Sequence, residues 1–125
     1  MLQIQRWFRD ALTQTTRKRD RGTDLIELPV ISESKTALWT ETEPEERFLV
    51  AGKIQNLRLA VSEIDGVEIP AGEEFSFWKN VGRTTRGRGF VPGRELREGC
   101  VIPNIGGGLC QLSNALYDAA LKANF

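Results

Sequence analysis

Three glycines stand in a row at Gly106, Gly107 and Gly108, and the residues behind them, Leu109-Cys110-Gln111, open an apolar helical repeat. A stretch without side chains costs backbone entropy, so a folded chain keeps it where another backbone comes close or where φ must be positive. Leu109, Leu112, Leu116, Ala119, Ala120 and Ala123 then recur at helical spacing. Whatever the fold, it must bring chain close to this run and start a helix directly behind it.

That position also gives the run its chemistry. Cys110 falls in the first turn, where the positive end of the helix dipole favours a thiolate. In cysteine hydrolases a thiolate so placed attacks an acyl carbon, and backbone N–H groups with a side-chain amide hold the oxyanion. Cys110 fits the nucleophile, Gln111 or Asn114 the amide donor. On the helix Cys110, Ser113, Asn114 and Tyr117 share one face. Two other readings stay open. Gly106, Gly107 and Gly108 could hold an anion with their N–H groups, although they match neither a phosphate-loop nor a dinucleotide spacing. Alternatively Cys110 is a small packing residue at a crowded contact.

The chain contains no histidine and two cysteines. No Cys–His dyad can therefore be completed within these residues, and they cannot supply the four ligands of an ordinary zinc site. No metal and no cofactor is expected. Cys100 and Cys110 are expected as free thiols in a reducing compartment. The 125 residues suffice for one domain with a core. Apolar runs are far shorter than the roughly 20 residues of a membrane-spanning helix, and Met1 to Leu12 has no signal-peptide core. A cytoplasmic protein is expected.

Net charge is zero but unevenly spread: +4 over residues 1–21, −8 over 22–74 and +4 over 75–125. The basic final segment suits an anionic ligand or plain solvation. No nucleic-acid motif accompanies it. Arg83, Arg86, Arg88 and Arg94 could clamp a carboxylate. Ser76 and Lys79 are further ligand-binding candidates beside the aromatic residues Phe75, Phe77 and Trp78.

Residues 1–41 read as a basic amphipathic helix (Ile4, Trp7, Phe8 and Leu12 on one side) and a linker. The helix either docks on the domain or lies on a membrane surface. Leu25 to Ile31 is at best an edge strand, because of Pro29. Thr42-Glu43-Pro44-Glu45 reads as a capping box. It opens a helix that buries Val50, Ile54, Leu57, Val61 and Ile64 and stops at Asp65-Gly66. Phe75 to Trp78 reads as a buried strand, residues 82–93 as a flexible basic loop, and Cys100 to Ile102 as a short strand before Pro103. The last helix is still in register at Phe125, with no cap.

Several of these residues, in this order, resemble the VanW family. They are Asn56 to Val61, Ile64-Asp65-Gly66, Pro70 to Lys79 with its Phe75-Ser76-Phe77 block, Val81-Gly82, Gly89-Phe90, and Ile105 to Gln111. The match runs from about Asn56 to about Leu121. Ala71 and Phe90 depart from it mildly, where proline and tyrosine are usual. The resemblance implies a bacterial protein linked to the cell envelope and glycopeptide resistance, and it implies no particular reaction. It also implies that family members continue past the closing helix into a histidine-containing segment, so the uncapped helix reads as a truncation.

The expectation is one small α+β domain over residues 42–125, a short, mostly antiparallel sheet packed with two or three helices. Its function is either a cysteine-nucleophile hydrolase or acyl transferase acting on cell-wall peptide, or a non-catalytic module binding an anionic cell-wall precursor or a protein partner.

Overall fold

The computed structural model describes residues 27–39 and 43–125, and the strand pairing of Arg17–Lys18. In chain order the elements are β1 (Arg17–Lys18), α1 (Pro44–Ile64), β2 (Val67–Glu68), α2 (Phe77–Val81), a single 3-10 turn (Arg86–Arg88), β3 (Pro92–Arg97), β4 (Cys100–Ile105) and α3 (Leu109–Lys122). β1 pairs antiparallel with β2, and β3 with β4. The molecule is therefore α+β, with short antiparallel ribbons of which the β3–β4 hairpin packs on α1, as the sequence pattern leads one to expect.

α1 is the axis of the fold. Pro44 sits in its first turn, where a missing N–H costs nothing, and Glu45 and Glu46 complement the helix dipole. The residue before the helix is Glu43, whose side chain makes no capping bond. Thr42 lies outside the described residues, as does the helix expected before Thr16. α1 ends at Asp65, whose N–H reaches the Val61 carbonyl, and Gly66 follows with φ 77°.

The buried face of α1 is not the one the apolar spacing predicts. Val50, Gly52, Lys53, Asn56, Leu57 and Ala60 are buried, whereas Val61 is 44% exposed and Ile54 and Ile64 are half-buried. The face is rotated because the β3–β4 hairpin lies against Gly52. A Cβ on that glycine would collide with the Pro92 carbonyl oxygen. Backbone contact displaces side-chain contact here, and the small residue, not the large ones, sets the rotation.

Three further expectations are corrected. Phe75 to Trp78 forms no strand; Phe77 opens α2, with Ser76 as its N-cap accepting from the Lys79 N–H at 3.3 Å. Alternating aromatics imitate a strand, but a serine whose hydroxyl can accept from the N–H three residues on favours a helix start. Residues 27–31 pair with no strand among the described residues, and Leu25 and Ile26 lie outside them. β4 runs on through Pro103 to Ile105. An edge strand tolerates proline because its outward N–H has no ladder partner.

α3 ends before the chain does. Its last helical residue is Lys122, Asn124 takes a left-handed φ of 61°, and the Phe125 N–H donates to the Ala120 carbonyl at 3.0 Å. That is a Schellman-type C-cap in which asparagine takes the place usually given to glycine. The helix is capped, contrary to the sequence reading.

The apolar core lies between α1, α2, the start of β3 and the start of α3. Leu57, Ala60, Val81, Phe90 and Leu109 form it, with Phe77, Ile105 and Leu112 packed around them. Phe77 and Trp78 meet edge to face, 5.1 Å between centroids.

Candidate functional site

Asn56 organises the glycine run. Its side chain is fully buried, and all its polar capacity on one side is spent on two strands of backbone. Nδ2 donates to the Val91 carbonyl at 2.9 Å and to the Gly107 carbonyl at 3.0 Å, while Oδ1 accepts from the Val91 N–H at 2.9 Å. A side-chain amide thus stands in for a short piece of β-ladder, joining α1 to the entry of β3 and to the middle of the glycine run.

The glycines are explained by how tightly chain crosses chain there. A Cβ on Gly107 would strike the Gly93 carbonyl oxygen, and a Cβ on Gly93 would strike the Gly107 carbonyl. Gly106 and Gly108 take φ of 78° and 98°, values that other residues seldom adopt. Two of the three N–H groups are already used: Gly106 donates to the Val91 carbonyl at 3.1 Å and Gly107 to the Asn104 carbonyl at 2.8 Å. The buried stem of Lys53 lies over Gly108, leaving no room for a Cβ. The run is a packing crossover that turns β4 into α3.

α3 starts on that crossover, with Leu109 anchored in the core and Cys110 turned to the surface. Both cysteines are free and exposed. Gln111 and Asn114 lie one and four residues further along, on a wall of α3 that also carries Asp118. Opposite that wall runs a strap, residues 32–38, in no regular secondary structure apart from a bend at Leu38. Gln111 Nε2 donates to the Ala37 carbonyl at 2.9 Å, and Ser32 Oγ donates to the Ala119 carbonyl at 2.6 Å. Lys122 Nζ reaches the Glu33 carbonyl at 3.4 Å, and Lys53 Nζ the Leu38 carbonyl at 2.9 Å. Between strap and helix lies an open groove, with Ser34, Lys35 and Thr36 on one side and Gln111, Asn114 and Asp118 on the other. The Asp118 carboxyl is held below the usual carboxylate range, first by its hydrogen bond from Lys122 (2.7 Å), then by one from Ser34.

The remaining candidates are spread out. Ser76 and Lys79 belong to the cap of α2, where the Asn80 side-chain amide also donates to the Ser76 carbonyl at 2.7 Å. Arg94, on β3, pairs with Glu46 of α1 at 3.5 Å. Arg88 lies over the Phe90 ring, pairs with Glu63 at 3.6 Å and donates to the Arg83 carbonyl at 2.5 Å. The structure therefore brings Cys110, Gln111 and Asn114 together on α3 beside Gly106 to Gly108. Ser76, Lys79, Arg83 and Arg94 lie on other elements. Among the described residues no group of three or more cysteine or carboxylate side chains is placed to hold a metal ion, and no helix is long and apolar enough to cross a membrane.

Sequence reasoning passed over Gly52, Lys53 and Asn56 as site residues. Their signal is spacing: Gly52, Asn56 and Ala60 recur every fourth residue, a stripe of small and amide side chains beside the larger apolar one. Such a stripe suits a helix face covered by backbone.

Comparison with known proteins agrees with the residue pattern. The family described as VanW like protein matches residues 52–125, more than half of the chain. The vancomycin B-type resistance protein VanW of Enterococcus faecalis is 31% identical over 88 residues, covering 70% of this chain and 32% of that protein. The uncharacterized protein YoaR of Bacillus subtilis is 34% identical over 68 residues, covering 54% of this chain and 22% of that protein. The chain thus spans about a third or less of the length of these relatives. No solved structure matches it. The match begins at Gly52 and takes in Asn56, Gly93, the glycine run and Cys110, the residues that build the crossover: this chain belongs to the VanW family.

Proposed function

We propose that this chain is a peptide-binding module serving the cell envelope, in the setting that the name of its Enterococcus relative indicates, vancomycin resistance. The ligand class is a cell-wall peptide or peptide-bearing precursor, and the binding face is the wall of α3 with Gln111 and Asn114. The observation that carries this reading is the Gln111 side-chain amide, which donates to a main-chain carbonyl of the irregular segment 32–38 at 2.9 Å. An amide presented to a peptide carbonyl is a recognition contact, and the groove beside it leaves Asn114 to meet further polar groups. Two of the glycine N–H groups are committed to backbone carbonyls, so the run supports the site's shape more than it offers donors.

A second reading, a cysteine-nucleophile hydrolase or acyl transferase on the same peptide, has one observation in its favour. Cys110 is exposed in the first turn of α3, beside the groove wall. These 125 residues hold no histidine to serve as its base.

Titration with a soluble peptidoglycan stem peptide, followed by calorimetry and by amide chemical shifts, separates the two. The binding module expects shifts centred on Gln111 and Asn114, weaker binding in Gln111→Ala, and no product by mass spectrometry. Cleaved or transferred peptide that disappears in Cys110→Ser would establish the second reading. Absence of any binding to the full chain would sink the first.

A further inference from the structure

The strap is gripped in an unusual way. Gln111, Lys122 and Lys53 all donate to its main-chain carbonyls, at Ala37, Glu33 and Leu38. Those groups are common to every peptide, so the body of the protein holds the strap by features that any extended chain offers. Among the described residues two contacts to α3 use strap side chains: Ser32 to the Ala119 carbonyl and Ser34 to the Asp118 carboxylate.

The path is open rather than coiled. Ala119 and Gln111 are about 12 Å apart along a helix rising about 1.5 Å per residue. From Ser32 to Ala37 the strap can stretch only about 17 Å at full extension. It runs antiparallel to α3, since rising strap numbers meet falling helix numbers. Its carbonyls accept from side chains of α1 and α3, and none of residues 32–38 pairs in a sheet.

The strap adds little to the core. Among the described residues every buried hydrophobic comes from Val50 or later, whereas Val30 and Ile31, just ahead of the strap, are about 80% exposed. Leu38 and Trp39 are exposed as well. A segment held by polar contacts over a helix, with scant apolar burial, sits at the low-stability end of a fold. The core cluster between α1, α2 and α3 takes none of its residues from the strap.

We propose that the α3 wall bearing Gln111, Asn114 and Asp118 is a groove for an extended polypeptide, and that residues 32–38 occupy it as an internal ligand which an incoming peptide displaces. This rests on the peptide-binding reading above and adds a competitor built into the same chain. Occupied by its own strap, the groove presents a reduced apparent affinity; freed of it, the full affinity returns.

The test uses a fluorescent synthetic peptide with the sequence of residues 30–38, added to the full chain and to the double variant Ser32→Ala/Ser34→Ala. The variant should bind it about ten-fold more tightly, because its groove is free for a larger fraction of the time. Amide chemical shifts of residues 33–38 should move toward free-chain values in the variant while those of α1 stay in place. Adding Gln111→Ala to the double variant should weaken the peptide again. Equal affinity for both proteins, or binding indifferent to Gln111→Ala, overturns the proposal. A stem peptide that binds the full chain without moving the strap amide shifts toward free-chain values also overturns it, yet leaves the peptide-binding reading standing. A strap peptide that behaves as expected, with no competition from the stem peptide, confirms the groove and removes the wall peptide as its ligand.

Discussion

Asn56 and Gly107 are joined by a buried 3.0 Å hydrogen bond from a side-chain amide to the carbonyl in the middle of the glycine run. The same amide group holds both backbone groups of Val91. One residue of α1 therefore sets the spacing between the start of the hairpin and the turn that launches α3. The position of Cys110 and Gln111 follows from it.

Asn56→Ala should destabilise the chain by about 2 kcal/mol, because the Gly107 carbonyl and the Val91 N–H lose their partner, while the Val91 carbonyl keeps the Gly106 N–H. Asn56→Asp should be worse at neutral pH, since a carboxylate would face the Val91 and Gly107 carbonyls, and it should regain stability on acidification as the carboxyl becomes neutral. Urea unfolding at several pH values reads both. An Ala variant within 0.5 kcal/mol of the parent, on the order of a neutral surface change, would show that the network does not hold the crossover.

Gly107→Ala and Gly93→Ala should each lose more than about 2 kcal/mol or fail to fold, as the new methyl group meets a carbonyl oxygen that cannot move. Gly87→Ala is the matched control. Nothing lies within 4 Å of the Cβ it would gain. There the substitution should be neutral or stabilise by up to about 1 kcal/mol through the unfolded state. Thermal midpoints of the three variants give the comparison.

The Asp118 carboxyl lies below its ordinary range in the folded chain, so its hydrogen bonds with Lys122 and Ser34 stabilise the fold above the unfolded pKa. That contribution is lost as pH falls through the lower, folded value. Carboxyl chemical shifts against pH should place Asp118 below an unperturbed aspartate. Lys122→Ala should move it back upward, and Ser34→Ala should do so by less. No movement in Lys122→Ala would rule out the ion pair as the main cause.

Arg94 and Glu46 form a half-buried pair across β3 and α1, 3.5 Å apart. A double-mutant cycle on the two alanine variants should give a coupling of up to about 1 kcal/mol, fading with added salt. Peptide binding should be unaffected by Arg94→Ala if the arginine serves the fold; a matching loss of affinity would place it in the ligand site instead.

Much of the architecture was legible from local pattern. Pro44, the two glutamates after it and Asp65-Gly66 bracket α1, and Leu109 to Ala123 announces α3. These signals are local, each arising from a backbone preference or a period within one element. The misreadings of α1 and of Phe75 to Trp78 share one source. At Phe75 to Trp78 alternation outvoted a serine cap, and on α1 the larger apolar stripe outvoted Gly52 and Asn56. Neither contest can be decided without the partner surface. The closing helix was misread for another reason: Asn124 can take the left-handed conformation without announcing it, as a glycine would.

The candidate site divides along the same line. By itself the sequence determined that a glycine run precedes a helix bearing Cys110, Gln111 and Asn114, and that no histidine accompanies them in these residues, because order and identity need no partner. Only the tertiary structure decided what those glycines are for and what Gln111 touches. The Gly93–Gly107 contact joins segments 14 residues apart, and the Gln111–Ala37 bond segments 74 apart. Contacts over such separations depend on how the elements pack, and no spacing within one element encodes them.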